Sequence, residues 1–301
     1  MNKDLAIILV NWNQYELTKS CIESIFNCSY QNFKIIVVDN CSKDKSVPKL
    51  KKDFTKIHFI QNNSNLGFTG ANNIGIEYAK SEDYEYIMLL NNDTEVDENF
   101  IEPLLNRLNS EKEIGAVQPL ILNFQNKKTV WNFGGRFNKF FGLPLTLNKN
   151  IELNSLQNES LTEWISGCCF VFRSSLVDLI GYLDDDYFVY YEDADYSLKI
   201  KNTGYNLGIV KESIIYHHEG KSWIQKKSWE GSVSPYTHYL NIRNHIYFIK
   251  KHNSDFNLIG VWIYQFFKIF SYLLYFTIKL RFVKLKMVYK GLIDGLNYNK
   301  E

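Results

Sequence analysis

Acidic side chains that could carry chemistry stand in two stretches of the chain. Asp93 follows an apolar run in the segment LLNNDT, where a carboxylate can hold a divalent cation that neutralises a diphosphate leaving group. Glu192, Asp193 and Asp195 lie within four residues in YYEDADY, and one of them can act as a general base toward a hydroxyl group. A turn at Asp93, and acids that stabilise a helix N-terminus, are the alternative interpretations.

Histidine and glycine residues indicate two further candidate ligand sites. His217 and His218 follow the last apolar run, where a histidine can complete a metal site of oxygen ligands or simply lie at the surface. The segment NLGFTGANNIG, from Asn65 to Gly75, allows an anion to approach the backbone before a helix. The first apolar run is followed by Asn-Trp-Asn-Gln, without the glycines of a dinucleotide site, which argues against a dehydrogenase.

Short apolar runs alternate with helical patterns in the part of the chain that must position these residues. This alternation predicts an α/β fold with a parallel sheet covered on both faces, whose ligands bind beyond the carboxyl ends of the strands. We therefore expect three polar strand ends to meet on one edge: Asn11-Trp12-Asn13, Asp39-Asn40 and Asn91-Asn92-Asp93. The predicted strands are Leu5–Val10, Lys34–Val38, Ile57–Ile60, Tyr86–Leu90, Gly115–Leu122, Trp164–Phe172 and Leu207–Tyr216.

Helical spacing and end signals predict the helices that connect these strands. Asp97 is expected to cap a helix that runs towards Leu108, and Asp44 to cap another. The Asn-rich stretch 123–163 predicts loops or a small hairpin near Gly134, and the pattern from Tyr236 onward is helical. The other predicted helices are Tyr15–Phe26, Gly70–Lys80 and Glu192–Asn202, the last stopped by Gly204.

The composition is that of a folded protein with two differently charged parts. Of 301 residues, 45% are hydrophobic and 22% charged, which excludes a largely disordered chain. From Gly220 to the C-terminus there are 13 basic and 4 acidic residues, a net +9, so the rest of the chain carries −8 of the total +1. Such a basic, aromatic tail is typical of contact with an anionic lipid surface, and we expect no nucleic-acid partner. Five cysteines without a CxxC pair predict small buried residues.

The tail contains an apolar stretch, Phe256–Ile278, whose 23 residues are long enough to span a bilayer. Lys268 near its centre disfavours a span, whereas Trp262 and the basic residues Lys279 and Arg281 suit a helix lying in the membrane interface. The short N-terminal apolar run lacks the length of a signal peptide. We therefore expect a cytoplasmic protein held peripherally on the inner face of the plasma membrane. Packing of the tail on its own domain, or on a second copy to form a homodimer, is the alternative.

Seven motifs, taken in order, resemble the family 2 glycosyltransferases of the GT-A fold, especially the rhamnosyltransferase-like branch. The resemblance covers roughly residues 4 to 250 and implies a GT-A domain over residues 1–235 and a helical tail over residues 236–301. Within the domain, a nucleotide-sugar half is expected at about 1–122 and an acceptor half at about 123–235. The motifs are VNWN, VVDNCSKD, NLGFTGANNIG, LLNNDT, SGCCFVFR, FVYYEDADYSLKIKNTGY and HHEGKS.

The resemblance implies an inverting transfer from a UDP- or dTDP-linked sugar to a hydroxyl of a surface glycan or a lipid-linked acceptor. Its base is expected at Asp193, and its divalent cation, Mg²⁺ or Mn²⁺, at Asp93, Asn91 and His217. Asn91 stands at the first acidic position of the family's DxD motif, which leaves the metal affinity open. Nucleotide-sugar contacts are expected at Asn11, Asp39, Asn65, Gly67, Asn91, Asn92 and Asp93, and acceptor contacts at Glu192, Asp195 and Trp164.

Two other functions are compatible with parts of this pattern. A sugar-1-phosphate nucleotidyltransferase uses a related sheet, but it requires a Gly-rich loop with Arg and Lys after the first strand, and this chain has none. A catalytically inactive sugar-nucleotide-binding or scaffold protein of the same fold is supported by Asn91. The complete acidic cluster of Glu192, Asp193 and Asp195 argues against that alternative.

Overall fold

The computed structural model describes residues 4–157, 159–218 and 230–298, which fall into two compact units. The first unit contains residues up to 136, residues 146–188 and residues from 192 to 218. The second contains residues 137–145, 189–191 and 230–298. Two short stretches that precede residue 235 therefore belong with the C-terminal helices, because spatial contacts rather than chain order define each unit.

The first unit is built on a ten-stranded mixed sheet. Its main path has the order β10-β12-β6-β11-β4-β1-β2-β3, with β5 paired to β12 and β7 paired to β6; β8 and β9 form a separate two-stranded sheet. The strands are β1 (Leu5–Asn11), β2 (Phe33–Asp39), β3 (His58–Gln61), β4 (Tyr86–Leu90), β5 (Thr94–Val96), β6 (Ile114–Asn123), β7 (Val130–Asn132), β8 (Gly135–Asn138), β9 (Leu143–Thr146), β10 (Leu161–Thr162), β11 (Cys169–Arg173) and β12 (Asn206–His217).

Strand direction brings the polar strand ends to one edge. Strands β4, β1, β2 and β3 run parallel to their neighbours. Strand β11 is antiparallel to both β4 and β6, so β6 runs in the same direction as β4, and β12 is parallel to β6. The carboxyl ends of β1, β2, β4 and β12 therefore share an edge, as expected for the first three, and β12 brings His217 to it. The parallel arrangement inferred from apolar runs is interrupted at β11, because apolarity reports burial and not direction.

Helices cover both faces of the sheet, which explains why its strands are continuously apolar. Leu5, Ile7 and Leu9 of β1 pack in one apolar cluster, whereas Ala6 and Ile8 pack in another. Helices α1 and α4 contribute to the first cluster and α3 and α6 to the second. The helices of this unit are α1 (Tyr15–Phe26), α2 (Ser46–Asp53), α3 (Gly67–Ser81), α4 (Ile101–Ser110), α5 (Leu176–Ile180) and α6 (Glu192–Asn202).

Three element boundaries differ most from the sequence-based expectation, and the first is α3, which begins at Gly67 and not at Gly70. The helix expected after Asp97 begins only at Ile101, because the carboxylate of Asp97 accepts a hydrogen bond from the backbone N–H of Asn99 in a preceding turn. The strand expected from Trp164 begins only at Cys169, because the preceding residues form a buried loop that periodicity cannot distinguish from a strand. The middle stretch also contains more structure than the predicted hairpin, namely β7, β8, β9 and a 3₁₀ helix at Leu153–Ser155.

The second unit contains the predicted C-terminal helices α7 (Pro235–Lys251), α8 (Leu258–Ile278) and α9 (Phe282–Leu296). Ser234 caps α7 by accepting a hydrogen bond from the N–H of Tyr236, and Pro235 occupies the first turn, where its missing N–H costs nothing. Among the described residues, only α8 is long and apolar enough to cross a membrane, with 21 residues and a mean hydropathy of 1.3. The helices share an apolar core of Ile242, Ile246, Ile269, Phe276 and Val288.

Candidate active site

Asp39 lies at the end of β2 in a network of buried polar groups. It is 2% exposed, and its carboxylate accepts hydrogen bonds from the amide of Asn11 at 2.8 Å, the hydroxyl of Ser42 at 2.5 Å and the backbone N–H of Ser42 at 3.0 Å. These donors compensate the cost of burying a carboxylate and fix its orientation. Asp39 is thus a rigid acceptor at the sheet edge.

Asn11 connects this network to the loop that follows β4. The hydroxyl of Thr18 on α1 donates to the side-chain oxygen of Asn11 at 2.8 Å and accepts from the side-chain amide of Asn92 at 2.8 Å. Asn11 is completely buried and its amide also donates to Ser42 and Ser46, so its polar atoms are used within the protein. Its placement indicates that it orients Asp39 and Asn92. Thr18 was not among the predicted site residues, although a polar residue on the apolar face of α1 is a usable signal.

Gly67 begins α3 in a conformation that only glycine accommodates easily. Its φ is +74°, and a Cβ there would stand 2.4 Å from the carbonyl oxygen of Phe188. Asn40 holds the preceding turn, because its amide donates to the side-chain oxygen of Asn65 and the carbonyl of Gly67, both at 2.9 Å. The backbone N–H of Leu66 in turn donates to Asn40. Asn40 was expected at the strand end, but this role was not predicted.

Asp93 and His217 meet through the pairing of β5 with β12. Thr94 is opposite His217 in this antiparallel ladder, and the N–H of His218 donates to the carbonyl of Asp93 at 2.9 Å. The side chains come together as well, with His217 Nε2 3.3 Å from Asp93 Oδ1. Both are buried, and the rest of the HHEGKS motif, residues 219–222, lies outside the described residues.

The possible metal ligands at this edge fit a divalent cation that takes its further ligands from a diphosphate. Asp93 offers carboxylate oxygens, Asn91 an amide oxygen, and His217 an imidazole whose Nδ1 has no hydrogen-bond partner among the described residues. The described residues contain no group of three or more His, Cys, Asp or Glu side chains that could hold a metal by themselves. Mg²⁺ commonly binds one or two carboxylates and completes its shell with phosphate oxygens and water.

Asp193 stands in the first turn of α6 with both carboxylate oxygens engaged. Oδ2 accepts the N–H of Gly167 at 2.9 Å, and Oδ1 accepts the N–H of Ala194 at 2.8 Å. Burial raises the pKa of Asp193, and these backbone donors act in the opposite direction without cancelling the increase. A carboxylate with a raised pKa is a stronger base than an ordinary aspartate and suits proton abstraction.

The loop of Gly167 and Cys168 connects Asp193 to the candidate cation site. Gly167 donates to Asp193, and the carbonyl of the next residue, Cys168, accepts the N–H of Asn91 at 2.9 Å. Asn91 lies two residues before Asp93, so one two-residue loop contacts both acidic segments. Buried side chains hold this loop, because Gln118 accepts the N–H of Ser166 at 3.0 Å.

The three residues expected on the acceptor side are all buried. Asp195 is 0% exposed, with its carboxylate 3.2 Å from the hydroxyl of Tyr187 and 3.7 Å from the ammonium of Lys199. Glu192 begins α6 and is also buried, and Trp164 packs its indole over Gly135. Their contact with an acceptor stays a prediction. Inside the protein, Asp195 links the hydroxyl of Tyr187 to the ammonium of Lys199.

Comparison with known proteins identifies the class to which this site belongs. The model of the glycosyl transferase family 2 matches residues 6–181, more than half of the chain. The chain therefore belongs to family 2 and is an inverting glycosyltransferase that uses a nucleotide sugar.

Similar curated proteins act in glycan synthesis. The chain is 27% identical over 248 residues to the low-salt glycan biosynthesis hexosyltransferase Agl10 of Haloferax volcanii, covering 81% of this chain and 75% of that protein. It is also 27% identical to the rhamnosyltransferase WbbL of Escherichia coli K12, over 73% of this chain and 86% of that protein. The resemblance to the rhamnosyltransferase-like branch is thereby confirmed.

Solved structures confirm the GT-A fold. GalNAc-T7 with UDP, GalNAc and Mn²⁺ matches with a TM-score of 0.62 and 18% identity over 82% of this chain, which spans about half (48%) of that neighbour's length. TarS 1-349 of S. aureus with UDP-GlcNAc matches with a TM-score of 0.55 and 15% identity, over 82% of this chain and 66% of that one. At these identities the likeness concerns the fold alone.

Proposed function

We propose that this glycosyltransferase moves a hexosyl or deoxyhexosyl group from a UDP- or dTDP-linked donor to a hydroxyl of a surface glycan or lipid-linked acceptor. The observation that carries the proposal is the loop of Gly167 and Cys168, which contacts both Asp193 and the segment of Asp93. Glycan-building relatives support the acceptor class, and the inverting family 2, which uses nucleotide sugars, supports the donor class.

In this proposal Asp193 removes the proton from the acceptor hydroxyl as that oxygen attacks the anomeric carbon. Attack opposite the departing diphosphate inverts the configuration in a single displacement, which requires the base and the diphosphate-binding residues to come from different segments. The raised pKa of Asp193 favours proton transfer to its carboxylate. The hydrogen bonds from Gly167 and Ala194 fix the direction of the carboxylate, so the base is oriented before the acceptor arrives.

The donor would lie along the polar edge of the sheet. Asp39 and the turn of Asn65 to Gly67 would hold the nucleoside, with Asn11 and Asn92 orienting that edge. Asp93, Asn91 and His217 would hold Mg²⁺ or Mn²⁺ beside the diphosphate. When bound, such a cation supplies charge stabilisation to the leaving diphosphate.

A panel of sugar donors, tested with the unmodified protein and with a variant that lacks the candidate base, tests this function. UDP- and dTDP-sugars are incubated with the protein, and nucleotide release is measured with and without candidate glycan acceptors. Asp193→Asn should lower transfer by roughly 10²-fold or more, because a general base is lost, while calorimetric nucleotide affinity is retained. Nucleotide binding without any turnover by the unmodified protein across the panel would favour the inactive, sugar-nucleotide-binding alternative.

The apolar face of α8 leads us to infer that the protein associates peripherally with an anionic membrane. Gln265 is buried and Lys268 is partly buried, so these two polar side chains of α8 face the interior of the second unit. The opposite face exposes large apolar side chains, with Ile259 at 74% and Phe266 at 64%. Further exposed members of this face are Trp262, Ile263, Phe267, Phe270 and Ile278.

Charge favours lipid over a second copy as the occupant of this face. Residues 230–298 include nine basic and three acidic side chains, a net charge of +6. Lys279, which directly follows α8, and Lys286 of α9 are both exposed. A polybasic surface attracts the anionic cytoplasmic leaflet, whereas two copies of it repel each other. Membrane contact would also bring the enzyme to a lipid-linked acceptor on the cytoplasmic side.

A further inference from the structure

The segment directly before the candidate base has an unusual backbone. Phe188, Tyr190 and Tyr191 have φ values of 64°, 75° and 74°, in the left-handed region that residues with a Cβ rarely adopt. None of the three is glycine, and bulky side chains make this conformation unfavourable unless surrounding contacts hold it. Helix α6 begins immediately afterwards, with Asp193 as its second residue. Residues 189–191 are therefore joined directly along the chain to the helix that carries the base.

Asn244 of α7 supplies such contacts within the second unit. It is completely buried, and its side-chain amide donates to the carbonyl of Val189 at 2.8 Å and to the carbonyl of Tyr190 at 2.9 Å. Its side-chain oxygen accepts from Nε of Arg243 at 2.9 Å. Because backbone carbonyls only accept hydrogen bonds, the nitrogen of the amide must face them, and both of its protons are used.

His245 holds the next residue of the same segment. Its ring stacks on Tyr191 with centroids 5.2 Å apart and planes 13° apart. Nε2 lies 2.8 Å from the carbonyl of Gly142 and Nδ1 lies 3.0 Å from the amide nitrogen of Gln265. Burial lowers the pKa of His245 to about 3, so the ring is neutral near pH 7 and can donate through Nε2 while accepting through Nδ1. Asn244 and His245, which are neighbours on α7, thus both contact the segment 189–191.

We propose that Asn244 is a positioning residue for glycosyl transfer. By fixing the carbonyls of Val189 and Tyr190, it maintains the left-handed backbone and thereby the orientation of Asp193 at the start of α6. The proposal rests on Asp193 being the base, as proposed above. It also assigns the helical extension a part in catalysis that is independent of any membrane contact. Misplacement of a reacting group by about 1 Å can cost on the order of 10²-fold in rate.

Asn244→Asp tests the role, since aspartate has the same shape but presents an oxygen to the carbonyls. We expect kcat to fall by roughly 10-fold or more through misplacement of the base, while the KM for the donor and the calorimetric affinity for UDP or dTDP stay unchanged. Asn241→Asp is the matched control, because Asn241 lies one turn earlier on α7 and its amide donates to the carbonyl of Thr237 within that helix. This control should retain kcat.

Hydrogen exchange measured by mass spectrometry provides a readout that does not depend on activity. Peptides spanning residues 188–195 should exchange faster in Asn244→Asp than in the unmodified protein or in Asn241→Asp. Unchanged kcat and unchanged exchange in Asn244→Asp would overturn the proposal. A parallel loss of nucleotide affinity and melting temperature would also overturn it, in favour of general stabilisation. If the unmodified protein transfers no sugar, the proposed function fails, and the exchange result still decides whether Asn244 orders the segment.

Discussion

Asp193 combines a buried position with two backbone donors, and this environment has a consequence for pH dependence. Burial is the dominant influence and raises the pKa of Asp193 above that of an ordinary aspartate. The base works only when ionised, so kcat/KM should fall as the pH drops through this raised pKa. A pH–rate profile with saturating cation measures the acid limb. An acid limb at or below the ordinary aspartate range would contradict the role of Asp193 as base.

Asn91 offers a direct test of the candidate cation site. It lies two residues from Asp93 and presents a neutral amide where the family motif has a carboxylate. Asn91→Asp adds a charged oxygen ligand, so we expect nucleotide affinity to become tighter in the presence of Mn²⁺ and weaker in its absence.

Two variants complete this test. Asp93→Ala should lose the Mn²⁺-dependent part of nucleotide affinity together with activity, whereas Asp97→Ala, in the turn before α4, should retain both. Calorimetry with UDP or dTDP, in EDTA and in Mn²⁺, compares the variants. Full activity of the EDTA-treated protein would argue against a cation at Asp93.

The residues that could be predicted from the sequence are those whose neighbours along the chain form a motif. Asp39 ends β2, Asp93 lies in the turn after β4, and Asp193 lies in the first turn of α6, so local pattern alone marks them. Thr18 and Gln118 belong to no such motif, and their roles depend on residues far away along the chain. The partners of Thr18 include Asn92, 74 residues away, and Gln118 accepts from Ser166, 48 residues away. Only the tertiary fold brings such pairs together.

Helix α1 contributes to the site through Thr18, which connects Asn11 at the end of β1 to Asn92 in the loop after β4. Thr18→Val keeps the shape of the side chain but removes its hydroxyl, which leaves buried groups of Asn11 and Asn92 without a partner. An unsatisfied buried polar group costs about 1–3 kcal/mol, so the free energy of unfolding should fall by that order. Nucleotide affinity should also fall, because the orientation of Asn11 toward Asp39 is no longer fixed.

Urea unfolding and nucleotide calorimetry measure the two effects. Thr203→Val is the control, since the hydroxyl of Thr203 donates to the carbonyl of Ile200 in the last turn of α6. It should change nucleotide affinity little. Equal behaviour of the two variants would indicate that Thr18 contributes no more than an ordinary helical threonine.

The predicted strands were right where a buried apolar run also has an extended backbone, and wrong where a buried apolar run forms a loop. Strands β1 and β4 are buried on both faces and extended throughout, so their apolar runs define them closely. Before β11, Trp164 and Ile165 are as buried as strand residues, yet they belong to a loop. The apolar pattern of a sequence reports which residues are buried, and it does not report whether their backbone is extended. For the same reason the antiparallel direction of β11 was not predictable.

At the scale of the whole molecule, acidic and basic residues are segregated along the chain. The residues before Gly220 carry −8 and those from Gly220 onward carry +9. Among the described residues of the tail, the basic side chains accompany an exposed aromatic face on α8. In an ordinary soluble helix the polar residues face outward, whereas here Gln265 is buried and Phe266 is exposed. This arrangement is expected for a helix whose outer face contacts an apolar environment.

Vesicle binding tests this arrangement. The full-length protein should co-sediment with vesicles of anionic phospholipid at low salt and less with zwitterionic vesicles or at high salt, because part of the attraction is electrostatic. Phe266→Ser combined with Phe267→Ser should abolish binding, whereas Leu161→Ser combined with Leu179→Ser, which alters two apolar residues of the first unit that are also more than half exposed, should not. Lys279→Gln combined with Lys286→Gln should weaken binding by about 1 kcal/mol per lysine. Protein that stays in the supernatant at low salt, and elutes as a dimer that the phenylalanine variant dissociates, would assign the face of α8 to a second copy instead.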